Sequence, residues 1–336
     1  MLHYVVRLFL GLFVFVSIAW GQHDALSPAE AIHLVEYQLK RLNAGAFQAS
    51  EVSHQDSLCI VKGDNWGQSL YATIDAARAR VLELRRNNSV FYRWPGIQVV
   101  GHRGTVKFAP ENTIPAIKAA IDLGVDLIEI DIRETKDGEL VLMHDETVNR
   151  TTNGSGNLSD MTLDEVKQLD AGSWFSDKFT GTRVPTLREA LAAMRGKALP
   201  DLDFKAGTPR HLIEIVEEEE LLGKVTLYCG DWDLLQRTQA LAPDGFLLRP
   251  TVPGGKPGLP IVLDRFDPAV VNINWEQFSE PLVREVHLAG KRSFLNTMQK
   301  DTEFTMQLML QTLPDYLQSD HIEILLPMLR EHGLHD

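Results

Sequence analysis

Short apolar runs alternate with helical stretches from residue 97 almost to the end of the chain. Alternation of this kind is typical of β/α units that build a parallel sheet. The strands predicted in this way are Ile97–Val100, Leu127–Asp131, Leu199–Lys205, Val225–Cys229, Phe246–Leu248, Val270–Ile273 and Arg292–Leu295. The pattern therefore indicates an α/β fold for this part of the chain.

The alternation breaks once, after the second predicted strand. Residues 139–143 have the pattern of an additional strand, and a polar, glycine-rich stretch follows them. Thr162 and Glu165 then have the spacing of a capping box, which begins a helix. We therefore predict an insertion over about residues 137–182.

The segment before the first predicted strand has a different pattern. Ser27 and Glu30 form a capping box, and apolar residues then recur on one helical face. A second helix is predicted from about Ala72 to Leu84, and a short strand at Ser57–Val61. We treat residues 22–95 as an N-terminal helical extension of unknown role that packs onto the main domain.

The first 21 residues have the pattern of a targeting signal. Arg7 gives a weakly positive start, and Leu8–Trp20 is an uncharged apolar run that ends in small residues. The run is shorter than the about 20 residues that a transmembrane helix needs. We therefore expect a signal peptide over residues 1–21, cleavage after Gly21, and a secreted or periplasmic protein with no stable membrane insertion after cleavage. The alternative is an uncleaved anchor.

Composition and charge narrow the choice of partner. The chain has 33 Lys and Arg against 46 Asp and Glu, a net charge of -13, and no cluster of basic residues for nucleic acid. An anionic ligand would need a few local cations or a metal. Cys59 and Cys229 either pair in an exported chain or remain separate buried thiols, and no Cys/His cluster has zinc-ligand spacing.

Two predicted strands carry several carboxylates on one face. Side chains alternate across a strand, so Glu129 and Asp131 point the same way. Asp201, Asp203 and Lys205 do the same on the next strand. Carboxylates this close are costly unless a cation offsets them, and oxygen ligands suit Mg²⁺ or Ca²⁺. The alternative for either strand alone is a solvated strand end with a salt bridge.

Two histidines stand at the ends of apolar runs. His102 and Arg103 follow the first predicted strand, and His144 follows the additional strand. A histidine can transfer a proton near neutral pH, and a guanidinium can hold a phosphate through two hydrogen bonds. Each histidine can instead be structural. Asn112-Thr113 has the pattern of a helix start, whereas Glu111 has no structural need to be acidic.

These motifs occur together in a fixed order. They are Gly101-His102-Arg103-Gly104, Pro110-Glu111-Asn112-Thr113, Glu129-Ile130-Asp131, His144-Asp145 and Asp203-Phe204-Lys205, with Asp137-Gly138 and Val184-Pro185-Thr186-Leu187 among them. In this order they resemble the glycerophosphodiester phosphodiesterase family, whose barrel is shared with phospholipase C-like phosphodiesterases. The resemblance covers residues 97 to about 335.

The resemblance implies a TIM-type (β/α)8 barrel over residues 96–336 with a small insertion after the second strand. It also implies three carboxylates that hold a divalent cation, an acid–base pair of histidines, and three side chains that bind or support the substrate. These are, respectively, Glu129, Asp131 and Asp203; His102 and His144; and Arg103, Lys205 and Glu111. The chain departs from the family where Asp203 replaces the usual Glu, and where Phe294-Leu295-Asn296-Thr297 replaces a late Trp-Thr-Val-Asn run.

The expected activity is metal-dependent hydrolysis of a small glycerophosphodiester to glycerol phosphate and an alcohol. One alternative is a lipid-cleaving relative, such as a lysophospholipase D or a phosphatidylinositol-cleaving phospholipase. A further alternative is a catalytically inactive surface-binding protein.

Overall fold

The computed structural model describes residues 6–7, 13–14, 26–42, 44–55, 57–65, 68–87, 89–298 and 300–335. The chain divides into two compact units, Met1–Tyr92 and Arg93–Asp336. Among the described residues, no helix has both the length and the apolar character that a membrane crossing needs.

The first unit begins with two short strands, β1 (Val6–Arg7) and β2 (Phe13–Val14), which pair antiparallel. The rest of the predicted signal peptide, with its cleavage site after Gly21, lies outside the described residues. Helix α1 (Pro28–Arg41) begins at the predicted capping box, in which the amide of Glu30 donates to the hydroxyl of Ser27.

An antiparallel sheet of five strands completes this unit, in the order in which the strands follow one another along the chain. The strands are β3 (Gln48–Gln55), β4 (Leu58–Asn65), β5 (Gln68–Asp75), β6 (Arg80–Arg86) and β7 (Ser89–Arg93). Helix α1 lies against β3, β4 and β6. The unit is therefore a helix and a sheet, and the prediction of a mainly helical extension is wrong.

The helix predicted from Ala72 to Leu84 is replaced by parts of β5 and β6 and the turn between them. A register shift next to Ile74 interrupts the pairing of the two strands. As a result Val81 and Leu84, three positions apart, are both buried. That spacing is the same as on one face of a helix, which explains why periodicity misassigned this segment.

The second unit is an α/β barrel. Its parallel strands are β8 (Gln98–Gly101), β9 (Leu127–Glu134), β11 (Leu199–Phe204), β12 (Thr226–Tyr228), β13 (Leu247–Leu248), β14 (Val270–Asn274), β15 (Arg292–Asn296) and β16 (Tyr316–Ser319). The helices are α2 (Ile114–Leu123), α3 (Leu163–Val166), α4 (Leu187–Met194), α5 (Pro209–Glu218), α6 (Trp232–Leu241), α7 (Leu259–Phe266), α8 (Glu280–Leu288), α9 (Glu303–Leu310) and α10 (Ile322–Glu331).

The strands follow one another around the sheet in chain order, and β16 pairs with β8. Just beyond β13, a bridge between Thr251 and Asn272 joins the sheet to β14. The amide of Asn272 donates to Pro250, and the amide of Val252 donates to Asn272, both at 3.0 Å. This closes the TIM-type barrel that the resemblance implies.

The last barrel strand, β16, is the one that the sequence pattern did not predict. All four of its residues are buried, but Gln318 and Ser319 are polar. A strand this short, with polar side chains at buried positions, lacks the apolar run by which the other strands were found.

The insertion after β9 builds a small core of its own. Strand β10 (Leu140–Leu142) pairs antiparallel with β9, as predicted for an additional strand. Buried apolar side chains from β10 and the following loops pack together, namely Val141, Met143, Val148, Leu158, Val166, Ala171 and Val184. Within their separate units, Cys59 and Cys229 are both buried free thiols, as in the second alternative above.

Candidate active site

Three carboxylates meet at the carboxyl ends of neighbouring barrel strands. Glu129 and Asp131 belong to β9, and Asp203 lies directly opposite Asp131 on β11. One ligand oxygen from each of the three lies within 4.8 Å of the others, and all three residues are buried. The structure therefore brings together the three residues predicted to hold a metal.

The backbone of the loop after β8 is hydrogen-bonded to this cluster. Arg103 has a positive φ of 49°, and its amide donates to Glu129 Oε2 at 2.8 Å. Gly104 also has a positive φ, and a Cβ there would lie 2.7 Å from the backbone of Ala116. The second glycine of the Gly-His-Arg-Gly motif is thus required by both backbone conformation and close packing.

Asn112 is a site residue that the sequence reasoning took for part of a helix start. The helix cap is Thr113, whereas Asn112 has a φ of 54° and contacts Asp131 twice. Its Nδ2 donates to Asp131 Oδ2 at 2.7 Å, and its Oδ1 accepts from the Asp131 amide at 3.0 Å. This pair of bonds fixes the orientation of one predicted metal ligand.

Both predicted phosphate-binding cations lie on the acidic cluster. Lys205 Nζ is 2.5 Å from Asp203 Oδ2 and 3.1 Å from Asp131 Oδ1. Arg103 Nε is 3.2 Å from Asp131 Oδ2, and its Nη1 donates to Glu111 Oε1 at 2.7 Å. Burial by itself lowers the Lys205 pKa, but the charges of Asp203 and Asp131 outweigh it and raise the pKa.

The pKa values of the carboxylates show the electrostatic cost of the cluster. Burial, reinforced by Asp131 and Asp203, raises the pKa of Glu129 well above its usual range. Burial also raises the Asp203 pKa to about 6. For Asp131, the nearby charges of Lys205 and Arg103 overcome the effect of burial and lower the pKa. The folded chain therefore disfavours three simultaneous negative charges at this point.

The residues present fit a divalent cation. Among the described residues, the buried Oδ1 of Asp203 has no hydrogen-bond donor. A buried carboxylate oxygen without a donor, beside two further carboxylates, is a set of hard oxygen ligands that Mg²⁺ or Ca²⁺ can satisfy. Asp201, predicted on the same strand face, is not part of this set, because Arg249 binds it through Nε at 2.6 Å and Nη2 at 2.7 Å.

Each predicted catalytic histidine is hydrogen-bonded to a carboxylate through Nδ1. For His102 the partner is Asp320 at 2.6 Å, just beyond β16, and for His144 it is the adjacent Asp145 at 2.7 Å. Asp320 is held in turn by Asp301, whose Oδ2 accepts from the Asp320 amide at 2.5 Å. The sequence reasoning missed Asp320 because it is more than 200 positions from His102, and its strand was not predicted.

Arg150, in the insertion, is a further site residue that the sequence reasoning missed. Its guanidinium donates to both Glu111 and Asp145. Hydrogen bonds from Arg150 are the main reason that the Asp145 pKa lies far below its usual value. For His144, burial is the main cause of a pKa below the usual 6.5.

The departure late in the barrel lies on β15 and directly after it. Phe294 is fully buried, and the Arg249 guanidinium stacks over its ring at 4.2 Å. Asn296 ends β15 and accepts from the Met298 amide at 3.1 Å. Phe294 therefore packs against the buried ion pair of Arg249 and Asp201.

Comparison with known proteins gives concordant results. The family model described as "Glycerophosphoryl diester phosphodiesterase family" matches residues 102–324. The chain is 43% identical over 152 residues to the glycerophosphodiester phosphodiesterase of Caldanaerobacter subterraneus subsp. tengcongensis, covering 43% of this chain and 63% of that relative. It is 40% identical over 141 residues to the glycerophosphodiester phosphodiesterase of Bacillus subtilis, covering 38% and 48% respectively. The chain thus spans about half to two thirds of the length of these curated relatives.

Solved structures show the same similarity over about two thirds of this chain. A glycerophosphodiester phosphodiesterase from Agrobacterium tumefaciens matches with a TM-score of 0.62 and 29% identity, over 68% of this chain and 99% of that one. A phosphodiesterase from Oleispira antarctica in complex with the product sn-glycerol-3-phosphate matches with a TM-score of 0.65 and 26% identity, over 70% and 97%. The residues matched by the family model include all eight predicted site residues and most of the barrel, and the chain belongs to the glycerophosphoryl diester phosphodiesterase family.

Proposed function

We propose that this protein hydrolyses small glycerophosphodiesters to glycerol phosphate and an alcohol, with His102 and His144 as the acid–base pair. The observation that carries the proposal is the hydrogen bond from each Nδ1 to a carboxylate, Asp320 or Asp145. Such a bond orients the ring and stabilises its charged form. It leaves Nε2 of both rings for transfer of a proton to or from the substrate.

The proton movements follow from the chemistry of the diester. Hydrolysis breaks the bond between phosphorus and the alcohol oxygen and forms a bond between phosphorus and a water oxygen. One histidine accepts the proton of the attacking water, and the other, protonated beforehand, donates a proton to the departing oxygen. Exchange with solvent returns both rings to their starting states.

Arg103 and Lys205 supply the positive charge that an anionic phosphate needs. Both contact Asp131 in the acidic cluster, which supports a role for both in holding the substrate phosphate there. Guanidinium and ammonium groups offset the charge that builds on the phosphate oxygens during hydrolysis.

Glu129, Asp131 and Asp203 would hold a divalent cation. When all three are ionised, the carboxylates carry more negative charge than Arg103 and Lys205 offset, so in that state a metal-free cluster would repel the substrate phosphate. When bound, a divalent ion makes this end of the barrel positive and stabilises negative charge on phosphate oxygens. Ligation by oxygen alone favours Mg²⁺ or Ca²⁺ over zinc.

The substrate class is supported by the relatives and by charge. Named glycerophosphodiester phosphodiesterases are similar to this chain, and a structural relative binds glycerol-3-phosphate. A net charge of -13 disfavours adsorption to anionic bilayers. The lipid-cleaving alternative has one observation in its favour, since Phe108, in the loop after β8, is 46% exposed. The inactive alternative would require a lost catalytic group, and every predicted position carries a competent side chain.

A substrate panel tests the proposal. Glycerophosphocholine and glycerophosphoethanolamine are incubated with the enzyme and Mg²⁺ or Ca²⁺, alongside the matching lysophospholipids and diacyl lipids. The products glycerol phosphate, lysophosphatidate and phosphatidate are then quantified, one for each class of substrate. We expect faster turnover of the deacylated diesters. Faster turnover of the lipids would favour the lipid-cleaving alternative, and no turnover of any diester would contradict the proposed activity.

We also propose export of the chain with cleavage after Gly21, from the apolar run of its first residues. Mass spectrometry of the protein recovered outside the cytoplasm is expected to find Gln22 at the amino terminus. An intact Met1 on the exported protein would contradict this.

A further inference from the structure

The Arg150 guanidinium joins two carboxylates that belong to different parts of the barrel. Nη1 and Nη2 each donate to Glu111 at 2.8 Å, in the loop after β8. Nε donates to Asp145 at 2.7 Å, and Nη2 donates to it again at 2.9 Å, beyond β10. A planar group with fixed donors can bind two carboxylates in this way only when both have a defined orientation.

Each of these carboxylates also holds one of the groups proposed to act on the substrate. Glu111 accepts from Arg103 Nη1 at 2.7 Å, and Asp145 is 2.7 Å from His144 Nδ1. The contacts therefore run without a gap from Arg103 through Glu111, Arg150 and Asp145 to His144.

We propose that Arg150 is a positioning residue that holds Arg103 and His144 in a fixed relation to each other. This inference rests on the proposed function, because it concerns how the same reaction is organised. It also gives the insertion a role in the reaction, since the insertion contributes the one side chain that contacts both carboxylates among the described residues.

The charges support this role. The side chain of Glu111 is only 9% exposed, and burial alone would raise its pKa. Hydrogen bonds from Arg150, followed by the charge of Arg103, instead lower that pKa. Without Arg150, the Glu111 carboxylate would be balanced by Arg103 alone and would hold Arg103 away from the substrate phosphate more strongly. Asp145 would lose the group that fixes its orientation toward His144.

An ordinary surface ion pair is the competing explanation, because the Arg150 side chain is 44% exposed. Exposed pairs usually contribute little to stability or activity. Arg183, directly after the insertion, provides a matched control. It is an exposed arginine whose Nη1, among the described residues, donates to the backbone carbonyls of Gln168 and Leu169 within the insertion. The two arginines therefore separate a general effect on the insertion from an effect on the site.

The experiment compares steady-state kinetics of the full chain with Arg150→Ala, Arg150→Lys and Arg183→Ala, using glycerophosphocholine and saturating Mg²⁺ or Ca²⁺. We expect Arg150→Ala to lower kcat/KM by about a hundredfold, because a displacement of about 1 Å has this effect on reacting groups. Both kcat and KM should change, since His144 acts on the chemical step and Arg103 binds the phosphate. A single ammonium cannot reproduce the four hydrogen bonds that the guanidinium makes to Glu111 and Asp145, so Arg150→Lys should restore only a small part. Arg183→Ala should resemble the wild type.

Chemical rescue distinguishes positioning from folding. Millimolar methylguanidinium should raise the turnover of Arg150→Ala about tenfold, whereas methylammonium should not. The same addition should leave the wild type and Arg183→Ala unchanged. Circular dichroism and thermal unfolding accompany each measurement.

Three outcomes would overturn the inference. The first is kinetics of Arg150→Ala equal to those of Arg183→Ala. The second is loss of activity without guanidinium rescue, and the third is loss of folding in both Arg150 variants, since either indicates a structural role. A wild-type protein without diesterase activity would be a different result, because it would reject the proposed function itself.

Discussion

The two histidines of the site differ in exposure but have the same kind of partner. The His144 side chain is 35% exposed and that of His102 only 10%, yet the Nδ1 of each is hydrogen-bonded to a carboxylate. We predict that His102→Ala or His144→Ala lowers turnover by about a hundredfold or more with folding intact, because each ring transfers a proton. Turnover and circular dichroism are measured together.

The control for this pair is His332→Ala, whose ring contacts only a backbone carbonyl in the last helix, as far as the described residues show. It should retain wild-type turnover. Near-normal turnover of either site variant would remove that histidine from the proposed role.

A second prediction at the scale of single residues concerns the dependence of activity on the metal. Chelation should abolish activity, and added Mg²⁺ or Ca²⁺ should restore it. Glu129→Gln and Asp131→Asn should lower turnover by about a hundredfold or more even with metal present, because each removes one ligand charge. Asp203→Glu should keep substantial activity, since it restores the longer carboxylate usual in the family. Full turnover of demonstrably metal-free protein would exclude this mechanism.

The raised pKa of Asp203 predicts how metal binding depends on pH. The carboxyl must lose its proton to bind a cation, and burial raises its pKa to about 6. From this carboxyl alone, metal affinity should be about tenfold weaker at pH 5 than at pH 7. Isothermal titration with Mg²⁺ or Ca²⁺ at several pH values measures this, with Asp203→Asn as the variant whose affinity should depend less steeply on pH, because the raised Glu129 pKa remains.

The same raised pKa changes the stability of the metal-free protein in the opposite direction, because that stability rises where metal affinity falls. The folded pKa of Asp203 lies above its ordinary 3.8, so between about pH 4 and pH 6 the folded state binds the proton more tightly than the unfolded state. This group therefore makes metal-free protein more stable as the pH falls through 6. Equal affinity for metal at pH 5 and pH 7 would show that Asp203 is already ionised at the lower pH.

At the scale of elements, a buried ion pair ties four barrel strands together next to the site. Arg249, just beyond β13, binds Asp201 of β11 and lies over the ring of Phe294 on β15. Its Nη1 also donates to Asn272 of β14 at 3.2 Å, and both charged side chains are almost fully buried. Asp201 lies opposite Glu129, so the pair fixes the relative positions of these strands beside the carboxylate cluster.

Removing one member of this pair should destabilise the barrel strongly. We predict that Arg249→Met lowers the free energy of unfolding by about 3–5 kcal/mol, because it leaves the Asp201 charge buried without a partner. The double variant Asp201→Leu/Arg249→Met should recover most of the loss, since no buried charge remains. Urea unfolding measures both. A single variant as stable as the wild type would mean that water or another cation balances Asp201.

At the scale of the whole molecule, pattern and motif located most of the barrel but, in the first unit, only helix α1 and the strand predicted at Ser57–Val61, which overlaps β4. Seven of the barrel strands have apolar runs, and each lies close to its predicted position. The eighth strand was not predicted because Gln318 and Ser319 are buried polar residues inside the sheet. In the first unit, the register shift between β5 and β6 produced helical spacing of Val81 and Leu84 in two strands.

By itself, the sequence determined the kinds of group at the site and the end of the barrel where they lie. Parallel strands bring their carboxyl ends to one edge, so residues that end or directly follow strands, such as Asp203 and His102, lie at the same end of the barrel. Only the tertiary structure decided which partners orient them. Asp320 meets His102 across the closure of the barrel, Arg150 reaches the site from the insertion, and Arg249 takes Asp201 out of the acidic cluster. These contacts join residues far apart in the chain, and local periodicity carries no information about them because they depend on strand order and loop placement in three dimensions.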